Sequence, residues 1–136
     1  RLPNSFEDGL TNVTATYSPF KKGKIKVVNA GFQQGSQKWE EASGQAKFKG
    51  PTDLGLLKVT FVGGIFLFGG DYKIIELDPN YQYSLVTSST RDYLWFLSRT
   101  PTVSPALMKK MTEVGRQLGF DVDSWIIVDQ SWNANP

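Results

Sequence analysis

The side chains that could perform acid–base chemistry in this chain are a few carboxylates and a phenol. Asp71, Glu76, Asp92 and Tyr93 are the candidates, but no spacing among them indicates the paired carboxylates of a hydrolase or isomerase. The sequence has no histidine and no cysteine, so the usual neutral-pH general base, a thiol nucleophile and the commonest metal ligands are missing. We therefore predict no catalytic residue, no metal site and no cofactor, with an isomerase or hydrolase as the alternative hypothesis.

The binding of an apolar molecule is a second kind of chemistry, and the stretch Arg91–Arg99 indicates it. Residues 93–97 are apolar at both parities, so a strand here would be covered on both faces. One face requires a core or a cavity, and the other requires a covering element. A helix that starts at Ser104 and Pro105 and ends before Gly119 can cover it. Its single apolar stripe consists of Leu107, Met111, Val114 and Leu118.

Upstream of this stretch, short segments rich in β-branched and aromatic residues alternate with turn-forming residues. They predict seven sequential strands and one short last strand, at residues 13–18, 25–32, 38–49, 57–62, 71–77, 83–88, 93–97 and 124–128. Short strands joined by hairpin turns favour an antiparallel meander, which hides its edges by closing into an up-and-down barrel. We predict a single domain over residues 1–136, an all-β barrel with one α-helix packed outside.

The third predicted strand shows the clearest alternation and indicates where a ligand would lie. Ala42, Gly44, Ala46 and Phe48 share one face, and small residues suit a strand that lines a hollow or bends at a corner. Strand parity then predicts which residues line a ligand-binding pocket. For Trp95, a place in the protein core is the alternative. The predicted pocket residues are Ala46, Phe48, Val59, Phe61, Leu85 and Trp95.

An apolar tetrad, residues 65–68, lies between two glycine pairs. Glycine pairs permit tight reversals of the chain, which favours a loop over a continuous strand. We predict that this loop exposes Phe66 and Phe68 at the mouth of the cavity. A buried hairpin tip is the alternative.

The charges of the chain exclude some partners. A net charge of +2 comes from 15 basic and 13 acidic residues mixed along the sequence, which argues against a nucleic-acid binder. Lysines cluster at the first predicted turn, either as a solvated hairpin end or as a site of attraction to anionic head groups. This cluster comprises Lys21, Lys22, Lys24 and Lys26. No apolar run approaches membrane-spanning length, and residues 1–4 do not resemble a signal peptide.

Four stretches carry a specific family resemblance. They are residues 13–18 (VTATYS), 77–83 (LDPNYQY), 91–101 (RDYLWFLSRTP) and 119–122 (GFDV). In this order they resemble the lipocalin superfamily, and most of all its bacterial outer-membrane lipoprotein and apolipoprotein D branch. The resemblance implies an eight-stranded antiparallel barrel that is open at one end, with a C-terminal helix packed outside.

The sequence departs from the family pattern at its start. The first strand of the family carries a Gly-X-Trp-Tyr motif, and the arginine corresponding to Arg99 covers that tryptophan, so the resemblance implies a structural role for Arg99. This sequence begins where that first strand should finish. We therefore expect an N-terminally incomplete barrel with two unpaired edge strands. Such edges invite a homodimer, strand exchange or a separately supplied peptide.

The function that the resemblance implies is binding, with carriage or storage, of fatty acids or lysophospholipids. It also implies lipid maintenance in the bacterial envelope, at the periplasm or outer membrane. The leader and the membrane-anchor cysteine common among the bacterial members are absent from this sequence, so membrane association would require an N-terminal anchor that has been removed. Trp95 and Phe68 match positions that border the ligand in the resembling bacterial proteins. The alternatives are an enzyme in the same barrel, or a protein-interaction module that uses an exposed strand edge.

Overall fold

The computed structural model describes residues 1–62 and 70–134. One antiparallel sheet follows the sequence order, with β1 Leu10–Pro19, β2 Ile25–Gln33, β3 Lys38–Phe48, β4 Leu56–Val62, β5 Gly70–Leu77, β6 Tyr83–Thr87 and β7 Leu94–Ser98. Two helices follow, α1 Pro105–Gln117 and the short α2 Ser131–Ala134. Within the described ranges, no helix is long and apolar enough to cross a membrane.

The predicted meander of seven strands and its following helix are confirmed. The predicted last strand at 124–128 is wrong, because residues 122–124 form a 3-10 turn and residues 125–130 lie outside the sheet. The apolar residues of that stretch have a different role. They lie beside the N-terminal segment, where Ile126 exchanges two main-chain hydrogen bonds with Arg1, at 2.8 and 3.0 Å.

The sheet curls strongly about its own axis. Tyr17 on β1 and Tyr72 on β5 are four strands apart in the sheet order, yet their hydroxyl oxygens are 3.2 Å apart. Neighbouring strands are spaced by about 4.8 Å, so a flat sheet would separate these strands by about 19 Å. The sheet is therefore a curled, incompletely closed barrel, in agreement with the predicted fold class.

The curl gives the sheet an inner face and an outer face. Residues opposite each other in an antiparallel pair share a face, and the pairs Val27↔Gly44, Gly44↔Phe61 and Ala46↔Val59 carry the inner face across three strands. Continuing this register around the sheet defines the inner face, which includes Ala15, Tyr17, Val27, Ala42, Gly44, Ala46, Phe48, Leu57, Val59, Phe61, Tyr72, Val86, Trp95 and Leu97.

Helix α1 covers the outer face of β6 and β7. Ser104 caps the helix by accepting a 3.2 Å hydrogen bond from the Leu107 amide, and Pro105 occupies its first turn. Met111 packs on Leu85 and Leu94, and all three are at most 1% exposed. The predicted apolar stripe thus covers the sheet, except at its last member, Leu118, which is 42% exposed.

Strands β1 and β7 are the two edges of the described sheet, as expected. Other segments lie against both edges. Leu2 donates its amide to the Leu94 carbonyl at 2.9 Å, and the amide of Asn12 donates to the Asp129 carbonyl at 2.6 Å. The N-terminal segment and residues 125–130 therefore occupy the gap between β1 and β7.

Candidate functional site

The candidate site is a cavity of about 1100 Å³ that opens in the gap between β1 and β7. The inner face of β1, the end of β5, the inner face of β7 and the segment 125–131 form its wall. The lining residues include Arg1, Glu7, Val13, Ala15, Tyr17, Tyr72, Leu77, Trp95 and Leu97. The wall therefore combines aliphatic and aromatic side chains with one buried charged pair.

Trp95 connects the sheet to the N-terminal segment. It lies opposite Val86 on the inner face, and its ring stacks on Tyr93 at 5.7 Å with an interplanar angle of 12°. The indole Nε1–H donates a 2.6 Å hydrogen bond to Oε2 of Glu7. Glu7 is only 7% exposed, and Asn4 donates to the same oxygen at 3.0 Å. This network holds the N-terminal segment against the cavity.

Replacing Trp95 with phenylalanine should lower the free energy of unfolding by about 1–3 kcal/mol, because the buried Glu7 carboxylate loses a donor. Urea unfolding followed by circular dichroism measures the loss. Trp125→Phe is the matched control, since Trp125 Nε1 donates to the hydroxyl of Thr112 at 3.2 Å. A neutral acceptor makes that bond weaker, so the control should lose less. Equal losses in the two variants would contradict the assignment.

Two tyrosines meet across the cavity. Besides their hydroxyl contact, the rings of Tyr17 and Tyr72 pack edge to face at 6.2 Å. Loss of hydration raises the pKa of both phenols above the ordinary value. Both hydroxyls are therefore neutral at physiological pH and can donate as well as accept a hydrogen bond.

Comparison with known proteins bears directly on this architecture. The family model described as a lipocalin-like domain matches residues 1–130. The chain is a lipocalin. Its sequence is 44% identical to the outer membrane lipoprotein Blc of Vibrio cholerae over 132 residues, covering 96% of this chain and 75% of that protein. Apolipoprotein D of Mus musculus is more distant, at 26% identity over 138 residues, 96% of this chain and 70% of that protein.

The resemblance to the bacterial and apolipoprotein D branch is therefore confirmed. The structure of the cockroach allergen Per a 4 superposes with a TM-score of 0.72, covering 96% of this lipocalin and 80% of that chain. Its sequence identity is 21%, so this likeness shows the fold alone. Lipocalins bind small hydrophobic ligands, which agrees with the aliphatic and aromatic part of the cavity wall.

The structure brings most of the predicted pocket residues of this lipocalin to the inner face. Trp95 lies on the wall of the cavity. Ala46 and Val59, at 3% and 4% exposed, pack into a cluster with Val27 and Leu57, and Phe48 and Phe61 pack against that cluster. These four predicted residues therefore pack together on the inner face, and they are not among the residues that line the cavity. Their predicted contact with ligand stays a prediction.

Leu85 is the predicted pocket residue that the structure places elsewhere. It is 0% exposed and packs beneath helix α1 with Leu94 and Met111. Leu85 lies opposite Phe96, and Phe96 packs against the same cluster on the face that α1 covers. Leu85 consequently belongs to the core under the helix and does not face the cavity.

The remaining predicted positions have different outcomes. Phe66 and Phe68 lie outside the described residues. Arg99 is exposed, and its guanidinium Nε donates a 2.6 Å hydrogen bond to the Tyr81 carbonyl. That bond ties the end of β7 to the turn between β5 and β6.

Sequence reasoning missed several residues of the wall. Tyr17 and Tyr72 were not predicted, although the alternation of Val13, Ala15 and Tyr17 on one face was a usable signal. Glu7 had no signal at all, because its partner is 88 residues away in the sequence. Among the described residues, no group of three or more histidine, cysteine, aspartate or glutamate side chains is arranged to hold a metal ion.

Proposed function

We propose that this lipocalin is a non-catalytic carrier of a fatty acid or lysophospholipid, which binds in the cavity between β1 and β7. The observation that carries the proposal is the volume of about 1100 Å³ with the indole of Trp95 on its wall. Ligand sites for small molecules typically enclose about 300–1,000 Å³. A single-chain lipid fits such a space. Water alone would leave the apolar part of the wall exposed to solvent, which is unfavourable.

The apolar part of the wall suits a hydrocarbon chain. Val13, Ala15, Leu77 and Leu97 line the cavity together with Trp95. Each methylene group of a ligand that leaves water here contributes about 0.8 kcal/mol. Affinity should therefore rise with chain length until the chain outgrows the cavity.

The polar end of the wall suits an anionic head group. The side chain of Arg1 is 6% exposed, and its Nε lies 3.8 Å from Oε1 of Glu7. This Nε makes no hydrogen bond within the described residues, and a buried donor without an acceptor is unfavourable. A ligand carboxylate or phosphate oxygen could satisfy it. Arg1 is therefore the proposed head-group contact.

The proposed location is the bacterial envelope. The relative from Vibrio cholerae is named an outer membrane lipoprotein, and lipids displaced from a membrane occur close to that membrane. Fractionation of the cells that produce this protein tests the location. Recovery in the cytosol alone would contradict it.

Native mass spectrometry with oleate and with a lysophospholipid tests binding directly, together with quenching of tryptophan fluorescence by a brominated fatty acid. We expect one retained lipid per chain and saturable quenching that weakens in Trp95→Phe. The chain has four tryptophans, so this variant separates the cavity signal from the others. No retained lipid and no saturable quenching would refute the carrier function.

Filling the cavity should abolish most of this affinity. Ala15→Trp places an indole on the wall from β1, and displacing only two ligand methylenes at about 0.8 kcal/mol each lowers affinity at least about tenfold. Ser43→Trp adds the same group to the exposed outer face of β3 and is the control. Isothermal titration calorimetry measures both. Equal affinities would place the ligand outside this cavity.

A further inference from the structure

The outer face of β2–β5, with the turns that join β1 to β2 and β3 to β4, is strongly basic. Eight lysines lie there, and seven are exposed, with Lys24 half-buried. We call this surface the lysine face. Its lysines are Lys21, Lys22, Lys24, Lys26, Lys47, Lys49, Lys58 and Lys73. The sequence spreads them over more than fifty positions, and the curled sheet gathers them.

The sheet register places the lysines beside one another. Lys47 lies directly opposite Lys58. Lys24 immediately precedes Ile25, whose partner is Ala46, so Lys24 lies next to Lys47. Lys49 pairs through its amide with the Leu56 carbonyl, and Leu56 lies opposite Lys73. Like charges directly opposite each other destabilise a sheet. The folded chain therefore tolerates a repulsion that an anionic partner would relieve.

Acidic side chains do not neutralise this surface. The same strands and turns carry five acidic residues, fewer than the eight lysines: Glu40, Glu41, Asp53, Asp71 and Glu76. Glu41 lies opposite Ala30, four pairs along β2 from the pair Lys26↔Gln45, so it is at the far end of the sheet from most of the lysines. Lys49 forms a 2.9 Å ion pair with Asp71, and the other seven lysines have no ion pair within the described part of the chain. Lys49, with a smaller contribution from Lys58, lowers the pKa of the Asp71 carboxyl. The chain as a whole has a net charge of only +2, so the positive charge is concentrated on one side.

Two exposed apolar side chains lie at the end of the lysine face. Phe20, 43% exposed, precedes Lys21 in the turn after β1, and Leu54, 55% exposed, lies in the turn after β3. In an antiparallel meander both turns are at the same end of the sheet. Apolar tips next to clustered lysines are typical of proteins that bind the interface of an anionic bilayer.

We propose that the lysine face docks this protein on an anionic phospholipid bilayer, with Phe20 and Leu54 at the level of the head groups. A lysine is a flexible point charge that suits phosphate groups presented on a plane. Nucleic acid is the less favoured partner, because aliphatic Leu54 has no role in contacting a phosphate backbone. Helix α1 covers only β6 and β7, so docking through β2–β5 leaves the cavity between β1 and β7 free. The docking requires no ligand in the cavity.

Vesicle cosedimentation of the intact chain tests this proposal. One vesicle type contains equal parts of phosphatidylcholine and phosphatidylglycerol, and the other contains phosphatidylcholine alone. We expect partitioning at least about tenfold stronger on the anionic vesicles, since each lysine near such a surface contributes about fivefold. Added salt should weaken it, because exposed charges are screened beyond about 10 Å at 0.1 M.

Charge reversal distinguishes the lysine face from net charge. K47E/K58E replaces two opposed, exposed lysines and should reduce the partition coefficient about tenfold or more. K109E/K110E changes the net charge equally on exposed positions of α1 and should reduce it by about twofold or less. Phe20→Ser with Leu54→Ser should weaken binding while preserving its salt dependence.

Three results would overturn the proposal. They are equal partitioning on neutral and anionic vesicles, equal losses in the two charge-reversed variants, and binding of a DNA duplex that requires Lys47 and Lys58 while vesicles remain unbound. Circular dichroism of each variant confirms that the fold is intact. Lipid extraction from the same samples shows whether the cavity is occupied, so failure of docking and failure of the carrier function are distinguishable.

Discussion

Replacing Leu85 with alanine should lower the free energy of unfolding by about 2–5 kcal/mol, the range for truncation of a fully buried leucine. Leu85 is 0% exposed and packs against Leu94 and Met111 beneath α1. Those neighbours belong to two different elements, β7 and the helix, so the space left behind cannot collapse easily. Chemical denaturation followed by far-ultraviolet circular dichroism measures the difference.

The same variant distinguishes a core residue from a pocket residue. Below its melting temperature, Leu85→Ala should bind ligand with an affinity within about twofold of the original chain, a difference below 0.5 kcal/mol. Leu54→Ala is the matched control for stability, because Leu54 is 55% exposed and exposed truncations cost about 0.5 kcal/mol or less. A large loss of affinity in folded Leu85→Ala would return Leu85 to the cavity wall.

Replacing Gly44 with alanine should also cause a large loss, about 3 kcal/mol, through overpacking. A Cβ at this position would lie 2.5 Å from the Thr60 carbonyl oxygen, 2.7 Å from Cδ1 of Phe61 and 3.1 Å from its Cα. Two of these atoms belong to the backbone of β4, which cannot move without breaking the pairing of β3 with β4. Thermal and chemical unfolding both report the loss.

Gly35→Ala is the control for the change of residue type. Its added Cβ meets only the side-chain oxygen of Gln33, at an ordinary 3.6 Å. The stability of this variant should stay within about 0.5 kcal/mol of the original, or rise slightly through reduced freedom of the unfolded chain. If Gly44→Ala were equally harmless, the close approach of β3 to the Phe61 ring would be wrong.

The Gly44 contacts also explain the small residues of β3. The alternation of Ala42, Gly44 and Ala46 predicts a strand that lines a hollow or bends at a corner, and all three residues are buried. Ala42 and Ala46 instead belong to packed clusters that include Phe61 as a neighbour. A small side chain facing inward is compatible both with an empty space and with a large neighbour, so the alternation alone does not distinguish the two.

The strands, their order and the covering helix could be predicted from the sequence. Their signals are local: alternation in residues 38–49, the helical stripe that includes Met111, and the cap formed by Ser104 and Pro105. The end of the chain was less predictable. Trp125, Ile126 and Ile127 have the composition of a strand, but their main-chain partners lie in the N-terminal segment, and no local pattern reports that contact.

By itself, the sequence determined that the chain is a lipocalin meander with an apolar interior. It also determined that no histidine or cysteine side chain is available as a base, nucleophile or metal ligand. Only the tertiary structure decided which side of the doubly apolar strands faces inward. In β6 and β7 both parities are apolar, so residue types cannot distinguish Trp95 on the cavity from Leu85 under the helix. The register of the strand pairs likewise placed lysines from four strands beside one another on one surface, because the sequence pattern predicts the order of the strands but not which residues lie opposite each other.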